Sequence, residues 1–221
     1  MGAEQGWSTR RAAGPLVVPP WGIADSPRDR IMAAACELFN NAGIRGVGVE
    51  AIIVAAGVAR NTFYRYFPSK ELLVVAFAER VDAEWRVWFV DAVTTSSVTA
   101  SGRLLAVFGV LPVWFDSPTF RGSPVLNVAA EVGDSQPRIA QLARDHATFV
   151  QAFLADLVRQ AGFTEPNELA GELRILFNGA VMTAQWEPDA PARRAIARHA
   201  SRAAAALLVG APRDSSTAAQ S

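Results

Sequence analysis

Between Ser26 and Val209 apolar side chains recur at helical intervals, and no stretch alternates as a β-strand would. That regularity confines the chain to helical architectures. Start and stop signals divide it into pieces. Ser26 is placed to cap, Pro27 fits the first helical position, and Asp29 follows three residues after the cap. Ile31, Ala34, Ala35, Leu38, Phe39 and Ala42 continue the stripe until Gly43 ends it. Short helices over Val49–Ala56 and Arg60–Phe67 come next. Pro68 then breaks the chain, and Ser69 caps a long helix from Lys70 to about Val93. Further helices are expected over Arg103–Asp116, with a kink or an end at Pro112, and over Val125–Val132. Pro137–Ala161, Pro166–Trp186 and Pro191–Val209 complete an all-α chain of about nine helices.

Composition narrows the function classes. Of 221 residues, 51% are apolar and 19% charged, enough for a sizeable core. The 21 basic and 21 acidic residues cancel, so nucleic-acid binding has to come from a local patch. One cysteine, Cys36, and two histidines exclude an internal disulfide and a multi-cysteine zinc site. No metal, cofactor or catalytic residue is expected, and a reduced, cytoplasmic setting is. No apolar run reaches the roughly 18–20 residues that span a bilayer. Residues 1–25 read as a flexible arm without a signal-peptide core, and 210–221 as a disordered tail. Twenty of the basic residues are Arg and one is Lys, so Arg is first a matter of composition, while Lys70 stands out.

Residues 49–67, VEAIIVAAGVARNTFYRYF, follow the grammar of a helix-turn-helix. Gly57 supplies the turn, and Ile52, Ala56 and Val58 suit the small core between the helices. The second helix is the one placed to enter the major groove, its first residues nearest the base edges. From Gly57 to Lys70 there are three basic residues and no acidic one. Arg60, Arg65 and Lys70 supply charge, Thr62, Tyr64 and Tyr66 hydroxyls, and Asn61 an amide for a base edge. Phe63 and Phe67 point the other way, into the core.

On these stretches, residues 30–73 resemble the N-terminal DNA-binding domain of TetR-family transcriptional regulators. The matching runs are IMAAACELFNNAG, VEAIIVAAGV and RNTFYRYFPSKELL. The resemblance implies a homodimeric, all-helical, repressor-like protein on palindromic double-stranded DNA, with an effector pocket behind the reading head. It also implies phosphate contacts from Thr62, Tyr64 and Lys70, and a base-reading role for Arg60 and Asn61. The chain departs from the family pattern at Gly48 and Ala59, where Ser or Thr is common, and at Ile53, where a small Ala is usual. The expected domains are 26–72 for DNA binding and 73–209 for effector binding and dimerisation.

Aromatic residues concentrate in the second of these domains. Trp88, Phe108, Trp114, Phe149, Phe153 and Phe177 are candidates to line an apolar cavity, with Asn127, Glu131 and His146 as polar anchors. The same residues at helical spacing also suit a filled core. The stretch 120–132 is similar to one actinobacterial-type subgroup of the family, in which Cys stands where this chain has Ser123, so thiol sensing there is not expected. The last two helices read as a dimerisation pair. One offers Leu173, Leu176, Phe177, Ala180, Val181 and Ala184, the other Ile196, Ala200, Ala203 and Leu207. Arg194, Arg198 and Arg202 form a separate, solvated stripe. The expected function is a DNA-binding regulator released from its operator by a small apolar or amphipathic ligand. The alternatives are a DNA-binding dimer with a filled core and, least supported, an all-α enzyme.

Overall fold

The computed structural model describes residues 26–213. The expected arm over 1–25, and the tail beyond residue 213, lie outside them. The described residues form ten helical segments: α1 Pro27–Gly46, α2 Val49–Ala56, α3 Arg60–Tyr66, α4 Lys70–Ser96, α5 Ala100–Gly109, α6 Leu111–Phe115, α7 Pro124–Val132, α8 Pro137–Gln160, α9 Pro166–Ala184 and α10 Ala190–Gly210. Helices α5 and α6 abut at Val110, with Pro112 in the first turn of α6, so counted as one broken helix they give the expected nine. No described helix is long and apolar enough to cross a membrane.

The chain divides into two compact units, each discontinuous in sequence. Within the described residues the first holds 26–85 and 123–146, and the second 86–122 and 147–213. Helices α4 and α8 each contribute to both.

The first unit contains the helix-turn-helix and more. Its core joins Ile31, Ala35, Phe39, Ile52, Phe63 and Phe67 to Leu73, Phe77 and Val81 of α4, to Val125, Val128 and Val132 of α7, and to Ile139 of α8. The Ser26 hydroxyl oxygen accepts from the Asp29 backbone N–H at 3.1 Å, which satisfies one of the free donors at the start of α1. Gly43 stops the regular helix: its φ of 71° and ψ of 168° lie inside α1, and the last residues form a separate turn. Gly57, with φ 60° and ψ 41°, closes α2 by donating its N–H to the carbonyls of Ile53 and Val54. Gly48 and Ala59 start α2 and α3 without a side-chain cap, as their side chains dictate.

In the second unit Phe89, Phe108, Trp114, Phe115, Phe120 and Phe177 are buried together. Their rings meet at angles, Phe89–Phe177 at 5.4 Å and Trp114–Phe120 at 5.7 Å between centroids. The face of α9 expected to form a dimer is turned inward. Leu173, Phe177, Ala180, Val181 and Ala184 are buried within the chain, as are Ala197, Ala200 and Ala204 of α10. Small residues let α9 and α10 of one chain approach each other, so the same pattern serves intramolecular packing. The face left open on α9 carries Ile175 and Met182, Trp186 is exposed just past its end, and Val209 is exposed on α10. The first residues of the expected tail are held. The Thr164 N–H donates to the Pro212 carbonyl at 3.2 Å, and the Arg213 guanidinium lies 4.2 Å from the centre of the Phe163 ring.

Candidate nucleic-acid interface

Helix α3 is anchored by what it buries. Phe63 is fully buried and Phe67, at its end, nearly so. A seven-residue helix buried through those rings presents its remaining side chains outward. Arg60, Asn61, Tyr64 and Arg65 are exposed, and Thr62, Tyr66 and Lys70 are half-buried. The seven expected DNA-facing residues therefore share the first unit, six of them on α3 and Lys70 at the start of α4. Tyr66 packs in part against the core, and the Arg65 guanidinium lies over its ring at 5.0 Å.

Three tethers fix this surface. The Lys70 ammonium donates to the Ile44 carbonyl at 2.6 Å, tying the start of α4 to the turn after Gly43. An ammonium has three donors, so that bond leaves two for phosphate oxygens. Arg30 donates through Nε to the Ala56 carbonyl at 3.2 Å, joining α1 to the end of α2. Arg60 pairs through Nη1 with the Glu50 carboxylate at 2.5 Å. Beside Lys70, the Glu71 carboxyl is held below its usual range, chiefly by a bond from its own backbone N–H and then by the Ser69 hydroxyl.

Glu50 and Ile44 were absent from the sequence-based set of site residues. Glu50 lies ten residues before its partner on another helix, and Ile44 acts through its carbonyl. Nothing in a periodic pattern marks either.

The expected effector residues divide between the units. Trp88, Phe108, Trp114, Phe149, Phe153 and Phe177 fall in the second, and Asn127, Glu131 and His146 in the first. In the second unit Phe149 and Phe153 are half-buried and stacked, with centroids 6.3 Å apart and planes 6° apart. The Arg86 guanidinium lies 4.6 Å from the centre of the Phe149 ring. The buried Nε1 of Trp88 has no hydrogen-bond partner. In the first unit Oε2 of Glu131 accepts from the backbone N–H groups of Ile44 and Arg45, at 2.8 and 3.2 Å. A Cβ at Gly43 would stand 3.1 Å from that oxygen, so the glycine makes room for the carboxylate as well as for the turn. His146 Nδ1 lies 2.6 Å from Oδ1 of Asp82, and both side chains are buried, with the Trp85 ring 4.8 Å away.

Known proteins converge on the same assignment. Residues 31–77 match the family model described as bacterial regulatory proteins, tetR family, and residues 100–200 the one described as tetracyclin repressor-like, C-terminal domain. The chain is 34% identical over 96 residues to the uncharacterized HTH-type transcriptional regulator Rv1255c of Mycobacterium tuberculosis, covering 39% of this chain and 48% of that protein. It is 28% identical over 108 residues to the HTH-type transcriptional repressor NemR of Escherichia coli, covering 48% and 54%. The chain thus spans about half the length of these curated relatives. The crystal structure of SCO4454, a TetR-family transcriptional regulator from Streptomyces coelicolor, superimposes with a TM-score of 0.74 at 26% identity, over 82% of this chain and 94% of that one. These relatives are regulators, not enzymes. Reading head and helical remainder, matched separately, lead to one conclusion: the chain belongs to the TetR family of DNA-binding transcriptional regulators.

Proposed function

We propose that the protein is a homodimeric repressor that binds a palindromic operator through α3 and leaves it when a small apolar or amphipathic molecule binds. The half-buried rings of Trp88, Phe149 and Phe153 in the second unit carry the effector reading. They offer apolar surface that the fold itself does not fully cover. Moving a two-state equilibrium from mostly bound to mostly released takes about 5.5 kcal/mol of differential affinity. Burying roughly 220 Å² of ligand surface, at about 25 cal/mol per Å², supplies that, whereas one neutral hydrogen bond of about 1 kcal/mol does not. Polar contacts then act on orientation, not on strength.

The dimer reading draws on α9. Ile175 and Met182, 71% and 53% exposed, lie seven residues apart on α9, and Trp186, 76% exposed, follows four residues later, just past the end of the helix. Such a seam suits pairing with a second copy. A second reading, a DNA-binding dimer without effector response, is favoured by Phe89, Phe108 and Phe115, which are fully buried.

Selection of bound fragments from random duplex DNA, followed by a screen of aromatic and aliphatic compounds for release, tests the proposal. An inverted-repeat consensus and release by a subset of compounds are expected. A consensus without internal symmetry overturns the homodimer, and an inert screen favours the second reading.

A further inference from the structure

We infer that Glu50 determines DNA specificity by holding the Arg60 guanidinium as a fixed fork for guanine at one position of each operator half-site. The inference rests on α3 as the base-reading helix.

The geometry is a clamp at the surface. Arg60 is the first residue of α3, and its Nη1 lies 2.5 Å from Oε1 of Glu50. Both side chains are 64% exposed, so the pair stands in solvent. The guanidinium also lies 5.7 Å from the centre of the Tyr64 ring, one turn along the same helix. The carboxylate therefore holds one edge of the guanidinium, and the ring supports its face. Glu50 is itself placed well, because a carboxylate in the first turn of α2 is favoured by the helix dipole.

A guanidinium carries five donors in a rigid plane. With Nη1 held by Glu50, the remaining edge presents the paired donors that match guanine O6 and N7. An arginine held in this way before binding loses less conformational freedom on docking.

Charge points to the same role. Within 57–70 there is no acidic residue, so the Glu50 carboxylate is the negative group placed against Arg60. Near DNA it works against every phosphate whatever the sequence. A group that weakens binding to all duplexes while fixing one base-reading side chain acts on discrimination.

The test uses the full chain and its own selected consensus. E50A should lower the preference for guanine at one symmetric position about tenfold, and raise affinity for random-sequence duplex about threefold. R60A should abolish that preference, and the E50A/R60A double variant should lose no more than R60A alone. E50Q, which keeps an oxygen acceptor, should retain most of the preference. Unfolding midpoints of all variants should stay together, because both side chains are exposed. Equal gains on all sequences with an unchanged consensus for E50A would overturn the role of Glu50 alone. R60A that relaxes no guanine, or a wild-type chain that selects no sequence, would remove the base-reading helix and the inference together.

Discussion

The two units use aromatic rings for different ends. In the first, Phe39, Phe63, Phe67 and Phe77 are all buried, and they hold short helices that could not stand alone. In the second, a buried group that includes Phe89, Phe108 and Trp114 adjoins rings that stay half-covered: Trp88 beside Trp114, Phe153 beside Phe89, and Phe149 stacked on Phe153. A unit that must present a fixed surface to DNA buries its phenylalanine rings. A unit with incompletely covered rings keeps surface available for something else. Burial, more than aromatic content, separates scaffold from candidate site.

The largest expected effect breaks this contrast at its strong end. Phe63→Ala should cost about 3–5 kcal/mol, the range for removing a fully buried ring. Phe149→Ala should cost less than about 2 kcal/mol, because part of that ring is already in water, yet it should weaken the effector response. Denaturant unfolding beside compound-induced release separates the two. Equal losses of stability would mean that the Phe149 ring is scaffold after all.

A smaller effect lies in the turn that Glu131 caps. Gly43→Ala forces a side chain into a φ of 71° and against the Glu131 carboxylate. The expected cost is about 1–3 kcal/mol, with weaker operator binding, because Ile44, next in sequence, receives the Lys70 bond. Thermal unfolding and a mobility-shift titration measure both. An unchanged midpoint would show that the turn yields freely.

These cases show which parts of the molecule were legible in its sequence. Ser26 with Asp29, and Gly57, announce their helix boundaries because each signal lies within a few residues of what it controls. The seven residues expected to face DNA could be grouped for the same reason, since six share one short helix. Glu131 was read as an effector anchor, but its oxygen is engaged by backbone N–H groups 86 and 87 residues away, and no local pattern encodes that distance. Helix α9 was read with its inner face outward. Leu173 and Phe177 make one apolar face and Ile175 and Met182 another, so hydrophobic period alone does not say which is covered.

Cys36 sharpens the contrast chemically. It sits in the first unit at 1% exposure, and burial, followed by the Glu84 carboxylate, pushes its thiol up to about 12. The thiol stays neutral in the folded chain while the unfolded chain ionises near 9. Stability from this group is full below pH 9 and is lost as pH rises from 9 toward 12. The slope is about 1.4 kcal/mol per pH unit within that window. Urea unfolding of wild type and Cys36→Ala between pH 8 and 10.5 reads the difference, since other titrating groups are common to both. The folded chain should also resist thiol reagents at pH 7.5, because the thiolate is the reactive form. Rapid labelling would show that the first unit opens more readily than its buried rings imply.

The smallest effect concerns how the fixed surface meets DNA. Lys70 is held at the start of α4 by the Ile44 carbonyl, with two ammonium donors to spare. A group oriented in this way suits a phosphate, which is the same at every base step, whereas Arg60 and Asn61 stand in the first turn of α3, the end proposed to meet base edges. Lys70→Ala should therefore weaken all sequences by a similar factor and leave the consensus alone. A phosphate contact releases close to one counterion, so the slope of log affinity against log salt should flatten by about 0.9 for each Lys70 engaged, or about 1.8 for a dimer. The loss of the tie to Ile44 adds a second, salt-independent weakening, which appears as an offset without a change of slope. Titrations at four salt concentrations separate slope from offset. A steady slope with a large offset would assign Lys70 to holding the turn after Gly43, and would move the first unit's phosphate contacts onto Thr62, Tyr64 and Arg65.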